Sequence, residues 1–256
     1  MPIRIACHTI GWVNASRDYT VAEVVRQIRD AGYDGIEFFE PLDKLGREED
    51  LKKILDASGM ILVSLSNGLN MNTKEQNHAW DKINYAHKFG SKVVMLCCGF
   101  IGDGHEKTDR DTDILAGKLN EIEAYASKFG MYVAYHPHLG TFVETKEDIE
   151  KLLSKSRYAK ICLDTAHLKA AGSDPEEIID RWPDKIVYVH LKDWNSDKKR
   201  FVELGSGDAG LDFKRILRKL ESIGYDGWAT VEQDIAGSSP FESAKKSRNF
   251  LRSIGY

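Results

Sequence analysis

Hydrophobic and polar positions along the chain alternate between two patterns that meet at glycine. Stretches with helical periodicity end in Gly, and a short apolar run begins within one to three residues, as in "QIRDAGYDGIEFF", "EAYASKFGMYVAYH" and "KLESIGYDGWATVE". Glycine is the usual residue just past a helix end, because it adopts the left-handed conformation without a Cβ penalty. The runs that follow are apolar almost throughout, which is typical of parallel strands covered on both faces.

The pattern predicts eight strands separated by helices. The strands are expected at 3–8, 35–39, 61–65, 92–97, 132–136, 159–163, 186–191 and 228–232, and the helices at 21–31, 50–57, 74–89, 111–129, 146–154, 175–181, 212–223 and 240–253. Asp174 before Pro175 and Thr145 before Asp148 are helix-start signals. Eight strand–helix units without a linker predict an α/β fold in which residues 1–256 form a single (β/α)8 TIM-barrel domain. A doubly wound open sheet is disfavoured, because "HTIGWVN" after the first strand lacks a Gly-rich phosphate fingerprint.

Composition narrows the class of protein. The 256 residues are 42% hydrophobic and 30% charged, and no apolar run approaches the roughly 18 residues of a membrane span. The first residues show no secretory leader, so we expect a cytoplasmic protein with no membrane partner. A net charge of −4 with scattered Lys and Arg argues against a nucleic-acid partner. Four cysteines within apolar runs are expected to be buried free thiols.

Polar side chains follow most of the predicted strands, and in such a barrel the working site lies where the strands finish. The residues at these ends are His8, Glu37, Glu40, His136, His138, Asp164, His167, His190, Lys192, Asp193, Glu232 and Asp234. A single Asp or His there is more often a cap or a loop residue than a ligand. Asp164, His190 and Glu232 end three consecutive strands, however, and three such ligands plus a fourth would make a divalent-metal site with room for substrate.

Four motifs, in order, make the chain resemble the xylose isomerase-like barrel superfamily of sugar isomerases, sugar epimerases and endonuclease IV. They are "AGYDGIEF", "CLDTAH", "VHLKD" and the stretch from "ELGSGDAG" to "TVEQD". Within that superfamily, "IGWVN" and "YHPHLGTFVET" are most similar to the inosose (2-keto-myo-inositol) dehydratase branch.

The resemblance implies a divalent metal ion (Mn, Co, Zn or Mg) bound by Asp164, His190 and Glu232. It also implies that His167 faces the substrate or a second metal. The fourth ligand of the isomerases and epimerases is a glutamate at the end of the fifth strand, and this chain has His136 there. Either His136 replaces it or Glu144 folds back from the loop, and we slightly favour Glu144 because a third carboxylate suits an oxygen-rich site.

The chemistry expected of such a site is proton abstraction α to a carbonyl through a metal-stabilised enediolate, ending in isomerisation, epimerisation or loss of water. Glu232, His136, His138, Glu144 and Lys192 are the candidate catalytic groups. Histidine suits protonation of a departing hydroxyl near neutral pH, which tilts the chemistry toward dehydration.

Substrate-binding candidates are His8, Trp12, Glu37, His167 and Trp194. The two tryptophans could form an apolar wall for a sugar ring, although core packing explains at least one of them. His105, in the loop after the fourth strand, is a weaker candidate for reaching the site.

The expected substrate is a small sugar or keto-polyol, and the sequence leaves homo-oligomerisation open. Two alternatives remain: an endonuclease IV-like DNA repair nuclease, which needs a basic groove and more histidines than this chain provides, and a non-catalytic sugar-binding barrel, which leaves Asp164, His190 and Glu232 unexplained.

Overall fold

The computed structural model describes residues 3–69, 71, 77–101, 106–234 and 239–256. Eight parallel strands form a closed barrel in which the first strand pairs with both the second and the last. The barrel strands are β1 (Arg4–His8), β2 (Gly35–Phe38), β3 (Ile61–Leu69), β4 (Val93–Cys98), β5 (Tyr132–Tyr135), β6 (Lys160–Asp164), β7 (Ile186–Leu191) and β10 (Trp228–Val231). The predicted (β/α)8 barrel is therefore confirmed.

Helices surround the barrel. They are α1 (Ile10–Val13), α2 (Val21–Ala31), α3 (Leu42–Leu45), α4 (Glu48–Ser58), α5 (Asn77–His87), α6 (Asp109–Ala126), α7 (Lys146–Lys155), α8 (Thr165–Ala170), α9 (Pro175–Arg181), α10 (Phe213–Ser222) and α11 (Pro240–Ser253). Among the described residues, no helix is long and apolar enough to cross a membrane.

The helix boundaries follow the local signals in the sequence. Gly32 ends α2 in the left-handed conformation with φ 95°, as the glycine pattern predicts. Thr145 and Asp148 form a reciprocal capping box at the start of α7, and Asp174 caps α9 ahead of Pro175. These contacts satisfy amide groups that have no partner inside the helix.

Two layers of apolar side chains hold the barrel together. One fills the space between the strands and the helices. The other fills the barrel interior and consists of Ala6, Val63, Val93, Met95, Ala134, Cys162, Tyr188 and Trp228. Because alternate residues of each strand point inward, this interior layer forms a closed floor beneath the carboxyl ends of the strands.

The structure differs from the sequence expectations in several places. Strand β3 continues to Leu69, four residues beyond the predicted end. The short helices α1, α3 and α8 were not predicted, nor was an antiparallel hairpin of β8 (Asp193–Asn195) and β9 (Arg200–Val202) after β7. Segments of three to six residues carry too few apolar positions for a periodic signal. The expected start of the third helix at residue 74, and His105, lie outside the described residues.

All four cysteines are free, as expected. Cys7, Cys98 and Cys162 are buried, whereas Cys97 is half-buried.

Candidate metal centre and active site

Six polar side chains from six strands meet at the carboxyl-terminal mouth of the barrel. His8 ends β1, Asp164 ends β6, Glu37 and His190 lie within β2 and β7, and His136 and Glu232 directly follow β5 and β10. None of the six is more than 6% exposed. Buried polar groups at this density must pair with one another or with a bound ion, because unpaired burial is costly.

Four of these residues form a compact group of possible metal ligands. One ligand atom each from His136, Asp164, His190 and Glu232 lies within 4.8 Å of the others. His136 Nε2 is 3.2 Å from Asp164 Oδ2, and His190 Nδ1 is 2.8 Å from Glu232 Oε2. The set combines two imidazoles with two carboxylates, a mixed nitrogen and oxygen donor set.

Local structure aims the Asp164 carboxylate at this group. Its Oδ1 caps α8 by accepting hydrogen bonds from the amides of Ala166 and His167, at 2.9 and 2.7 Å. Because the cap uses Oδ1, Oδ2 is left on the side of His136. Asp164 is therefore both a helix cap and a potential ligand.

His136 carries an orphaned ring nitrogen. The side chain is 2% exposed, and its Nδ1 has no hydrogen-bond partner among the described residues. A buried imidazole normally uses both nitrogens, so an unpaired one in a cluster of carboxylates and histidines points to a missing partner such as a metal ion.

Glu37 contacts the ring nitrogen of His190 that does not face Glu232. Its Oε2 lies 2.8 Å from His190 Nε2 and accepts a hydrogen bond from the Tyr188 hydroxyl at 2.7 Å. Its Oε1 accepts a hydrogen bond from Ser66 at 2.8 Å. Burial alone would raise the pKa of Glu37, but His190 and His8 outweigh it and lower the pKa to about 2.

His8 belongs to the same buried network. Its Nε2 lies 2.6 Å from Ser66 Oγ, and its Nδ1 accepts a hydrogen bond from the Ile10 amide at 3.1 Å. Since both ring nitrogens are used internally, His8 and Glu37 support the ligand group and offer no free atom to a substrate.

A second cluster lies beside the ligand group, around the buried ammonium of Lys192. Its Nζ is 2.7 Å from Asp234 Oδ1 and 3.5 Å from Glu232 Oε1. Burial would lower the pKa of Lys192, but Glu232 and Asp234 outweigh burial and raise it. The group is therefore a fixed positive charge next to a candidate ligand.

Two histidines whose rings are in contact and a phenylalanine complete this side of the mouth. The rings of His138 and His167 are 3.8 Å apart, and Phe201 of the hairpin lies 4.6 Å from the His167 ring. His138 Nδ1 is 2.7 Å from the Leu139 carbonyl oxygen, so Nδ1 carries the proton and Nε2 has a free lone pair. Burial, followed by the effect of His136, lowers the pKa of His138 to about 4.

Three residues expected at the site lie apart from the ligand group. Glu144 is half-buried, and its Oε2 accepts a hydrogen bond from the Gly140 amide at 3.0 Å. Trp12 is buried in the core between barrel and helices and donates its indole N–H to Gln27. Trp194 packs on Phe201 at 5.0 Å between ring centroids. The structure thus gathers His136 rather than Glu144 with the other three ligand candidates.

Four residues of the site received no role from the sequence: Ser66, Tyr188, Phe201 and Asp234. Tyr188 precedes His190 by two residues and so shares its face of the strand, a signal that the sequence contained. Ser66 lies in the part of β3 beyond the predicted strand, and Phe201 lies on the unpredicted hairpin.

Comparison with known proteins places this geometry in context. The profile of the family described as xylose isomerase-like TIM barrel matches residues 25–254. An inosose dehydratase of Lacticaseibacillus casei is 30% identical over 290 residues, covering 98% of this chain and 97% of the relative. An inosose dehydratase of Clostridium beijerinckii is 29% identical, covering 98% and 96%.

Solved structures share the fold at lower identity. A probable 3-DHS dehydratase, AsbF, from Bacillus anthracis superposes with a TM-score of 0.81 at 17% identity, covering 98% of this chain and 99% of that one. The IOLI protein with a bound zinc atom superposes with a TM-score of 0.78 at 18% identity, covering 98% of each chain.

Proposed function

This chain belongs to the xylose isomerase-like TIM barrel family, and we propose that it is a divalent-metal-dependent enzyme that removes water from a keto-polyol of the inosose type. The observation that carries the proposal is the convergence of His136, Asp164, His190 and Glu232, with ligand atoms within 4.8 Å of one another at the barrel mouth. The relatives named inosose dehydratase supply the reaction class.

The donor set fits a divalent cation. Two imidazoles and two carboxylates suit Mn, Co or Zn better than Mg, which prefers oxygen ligands and retained water. The buried Nδ1 of His136, which has no hydrogen-bond partner among the described residues, also supports a bound cation at this position. When bound, such an ion would polarise the carbonyl and neighbouring hydroxyl oxygens of the substrate and stabilise the negative charge that develops on them.

We assign the fourth ligand to His136. Glu144 is engaged by the Gly140 amide within its own loop. His136, in contrast, lies 3.2 Å from Asp164 within the ligand group.

His138 is suited to move the proton. The hydrogen bond from Nδ1 to Leu139 leaves the Nε2 lone pair available to accept a proton from carbon. The lowered pKa agrees, since it keeps the ring uncharged at neutral pH. The histidine therefore acts first as a base, and the proton that it accepts is then available to the departing hydroxyl.

Lys192 is suited to bind oxygen. Its pKa is raised, so it remains an ammonium ion and cannot serve as a base at neutral pH. At the mouth, an ammonium stabilises negative charge on a substrate oxygen and favours release of a hydroxyl. The rings of His167 and Phe201 exclude water from one side of this charge.

The bond changes balance without a further reactant. His138 takes the proton from the carbon next to the carbonyl, and that electron pair forms a carbon–carbon double bond as the β carbon–oxygen bond breaks. The departing hydroxide takes the proton and leaves as water, and the remaining enol rearranges to a diketone. Return of the proton to carbon without loss of hydroxide would give isomerisation or epimerisation.

The test is incubation of Mn²⁺- or Co²⁺-loaded protein with 2-keto-myo-inositol in D₂O. Loss of water with a new ultraviolet absorbance of the conjugated product is expected. Deuterium exchange without loss of water would assign an isomerase or epimerase instead. No exchange and no elimination with any of the four metals would overturn the proposal.

A matched pair of variants tests the ligand assignment. His136→Gln is expected to lose bound metal on dialysis, whereas Glu144→Gln is expected to retain it, measured as metal content per chain. The opposite result would assign Glu144 as the ligand.

A further inference from the structure

Cys162 lies directly beneath the candidate metal position and is not used by the proposed reaction. It precedes Asp164 by two residues on β6, so both side chains point into the barrel, about 7 Å apart along the strand. Its thiol is fully buried and belongs to the interior layer.

The thiol forms a second group of ligands with the two histidines. One ligand atom each from His136, Cys162 and His190 lies within 4.8 Å of the others. All three side chains are buried, and His136 brings a ring nitrogen that has no partner among the described residues. Imidazole nitrogen and thiolate sulfur are both ligands that tetrahedral d10 ions accept, and the thiolate favours soft cations.

We infer that His136, Cys162 and His190 form a second, sulfur-containing position for a thiophilic divalent cation such as Cd²⁺. Ligands about 2.0–2.3 Å from a tetrahedral ion lie roughly 3.5 Å apart, so small side-chain rotations suffice to close the group on an ion. As the sulfur–metal bond forms, the S–H bond breaks and one proton passes to solvent.

The two positions exclude each other because they share both histidines. Oxygen-preferring ions are held by the position that includes Asp164 and Glu232, whereas thiophilic ions are drawn toward Cys162. An excess of Cd²⁺ therefore displaces the ion that serves the reaction, whether that ion is Mn²⁺, Co²⁺ or Zn²⁺. This competition rests on the proposed function, whereas the sulfur position itself does not.

The barrel interior offers a matched control. Cys97 on β4 also packs against the interior layer, and burial raises the pKa of its thiol. Within the described part of the chain, its sulfur does not join two other possible ligand atoms within 4.8 Å of one another. Cys97→Ser and Cys162→Ser each replace one interior sulfur with oxygen. Only the sulfur of Cys162 is expected to contact the ion.

The experiment is titration of metal-free protein with Cd²⁺, followed by the ultraviolet sulfur-to-cadmium charge-transfer band. Wild type and Cys97→Ser are expected to develop the band with one equivalent of cadmium, and Cys162→Ser is expected to lose it. Absence of the band from wild type, its persistence in Cys162→Ser, or its loss in Cys97→Ser would overturn the inference.

Two further measurements distinguish loss of the sulfur ligand from misfolding of the variant. They also test the sulfur position independently of the proposed function. Cadmium NMR of the wild type reports one sulfur ligand without any substitution, and a shift typical of nitrogen and oxygen ligands alone would contradict the inference. Mn²⁺ binding, followed by electron paramagnetic resonance, is expected to survive Cys162→Ser. If the wild type developed the cadmium band but neither exchanged nor eliminated with any of the four metals, the proposed function would fail and the sulfur position would stand.

Discussion

Replacing Glu37 by glutamine is expected to weaken metal binding although none of the proposed ligands is substituted. Glu37 accepts hydrogen bonds on both oxygens, from His190 and Tyr188 on one and from Ser66 on the other. The contact at 2.8 Å with His190 Nε2 keeps the proton on that nitrogen and leaves Nδ1, which lies beside Glu232, as the ligand atom. Glu37 is therefore a positioning residue.

The magnitude follows from what glutamine can accept. An amide has only one acceptor oxygen, so if it serves His190, its NH₂ group must face Ser66. Ser66 already lies 2.6 Å from His8 Nε2, which donates because His8 Nδ1 accepts from Ile10. The serine proton then has no acceptor, and the negative charge behind His190 is lost. Loss of such a supporting contact weakens metal affinity about 10- to 100-fold, or roughly 1.4–2.7 kcal/mol.

The assay is the dissociation constant of Mn²⁺ or Co²⁺ measured by competition with a chelating dye. Glu40→Gln is the matched control, since it removes the same charge just after the same strand from a side chain that accepts a hydrogen bond from Thr9. An unchanged dissociation constant in Glu37→Gln, or an equal loss in both variants, would refute the positioning role.

Two further predictions concern stability. Lys192→Met leaves the carboxylates of Asp234 and Glu232 without their buried cation, so we expect a loss of about 3 kcal/mol in the free energy of unfolding, measured by denaturant titration. Adding Asp234→Asn should recover part of the loss, and strict additivity in the double-mutant cycle would contradict the pairing. Burial raises the pKa of Glu123 from 4.5 to about 7. The contribution of Glu123 to the free energy of unfolding, at most about 3 kcal/mol, is therefore fully present below about pH 4.5. It is lost as pH rises through 7, where the folded state would have to ionise a buried carboxyl. Glu123→Gln should reduce the change in melting temperature between pH 5 and pH 8. An unchanged pH dependence would contradict the role assigned to Glu123.

The barrel was predictable because its signals are local. A glycine past a helix end, an apolar run and an N-terminal capping residue each act within a few residues, as at Gly32 and at the Thr145–Asp148 box. Eight strand–helix units, several of them marked in this way, leave few ways to bury all the apolar strands. The same logic placed Asp164, His190 and Glu232 at one rim, since the carboxyl ends of parallel strands face the same side.

Contacts between side chains on different strands could not be predicted from these local signals. The sequence showed Glu37 and His8 at strand ends, which suggested contact with substrate, whereas the structure turns both toward Ser66 and His190. Whether a side chain at a strand end faces the ligand group or supports it depends on barrel stagger and register, which no local pattern records.

The fifth strand shows the division most clearly. The sequence by itself determined that "YHPHLGTFVET" follows a buried strand and brings histidines and a carboxylate to the mouth. Only the tertiary structure decided that His136 joins Asp164, that Glu144 turns back to Gly140, and that Cys162 lies beneath the histidines. The physical reason is that hydrophobic periodicity specifies which elements form, while distances between side chains on different strands arise only when the barrel closes.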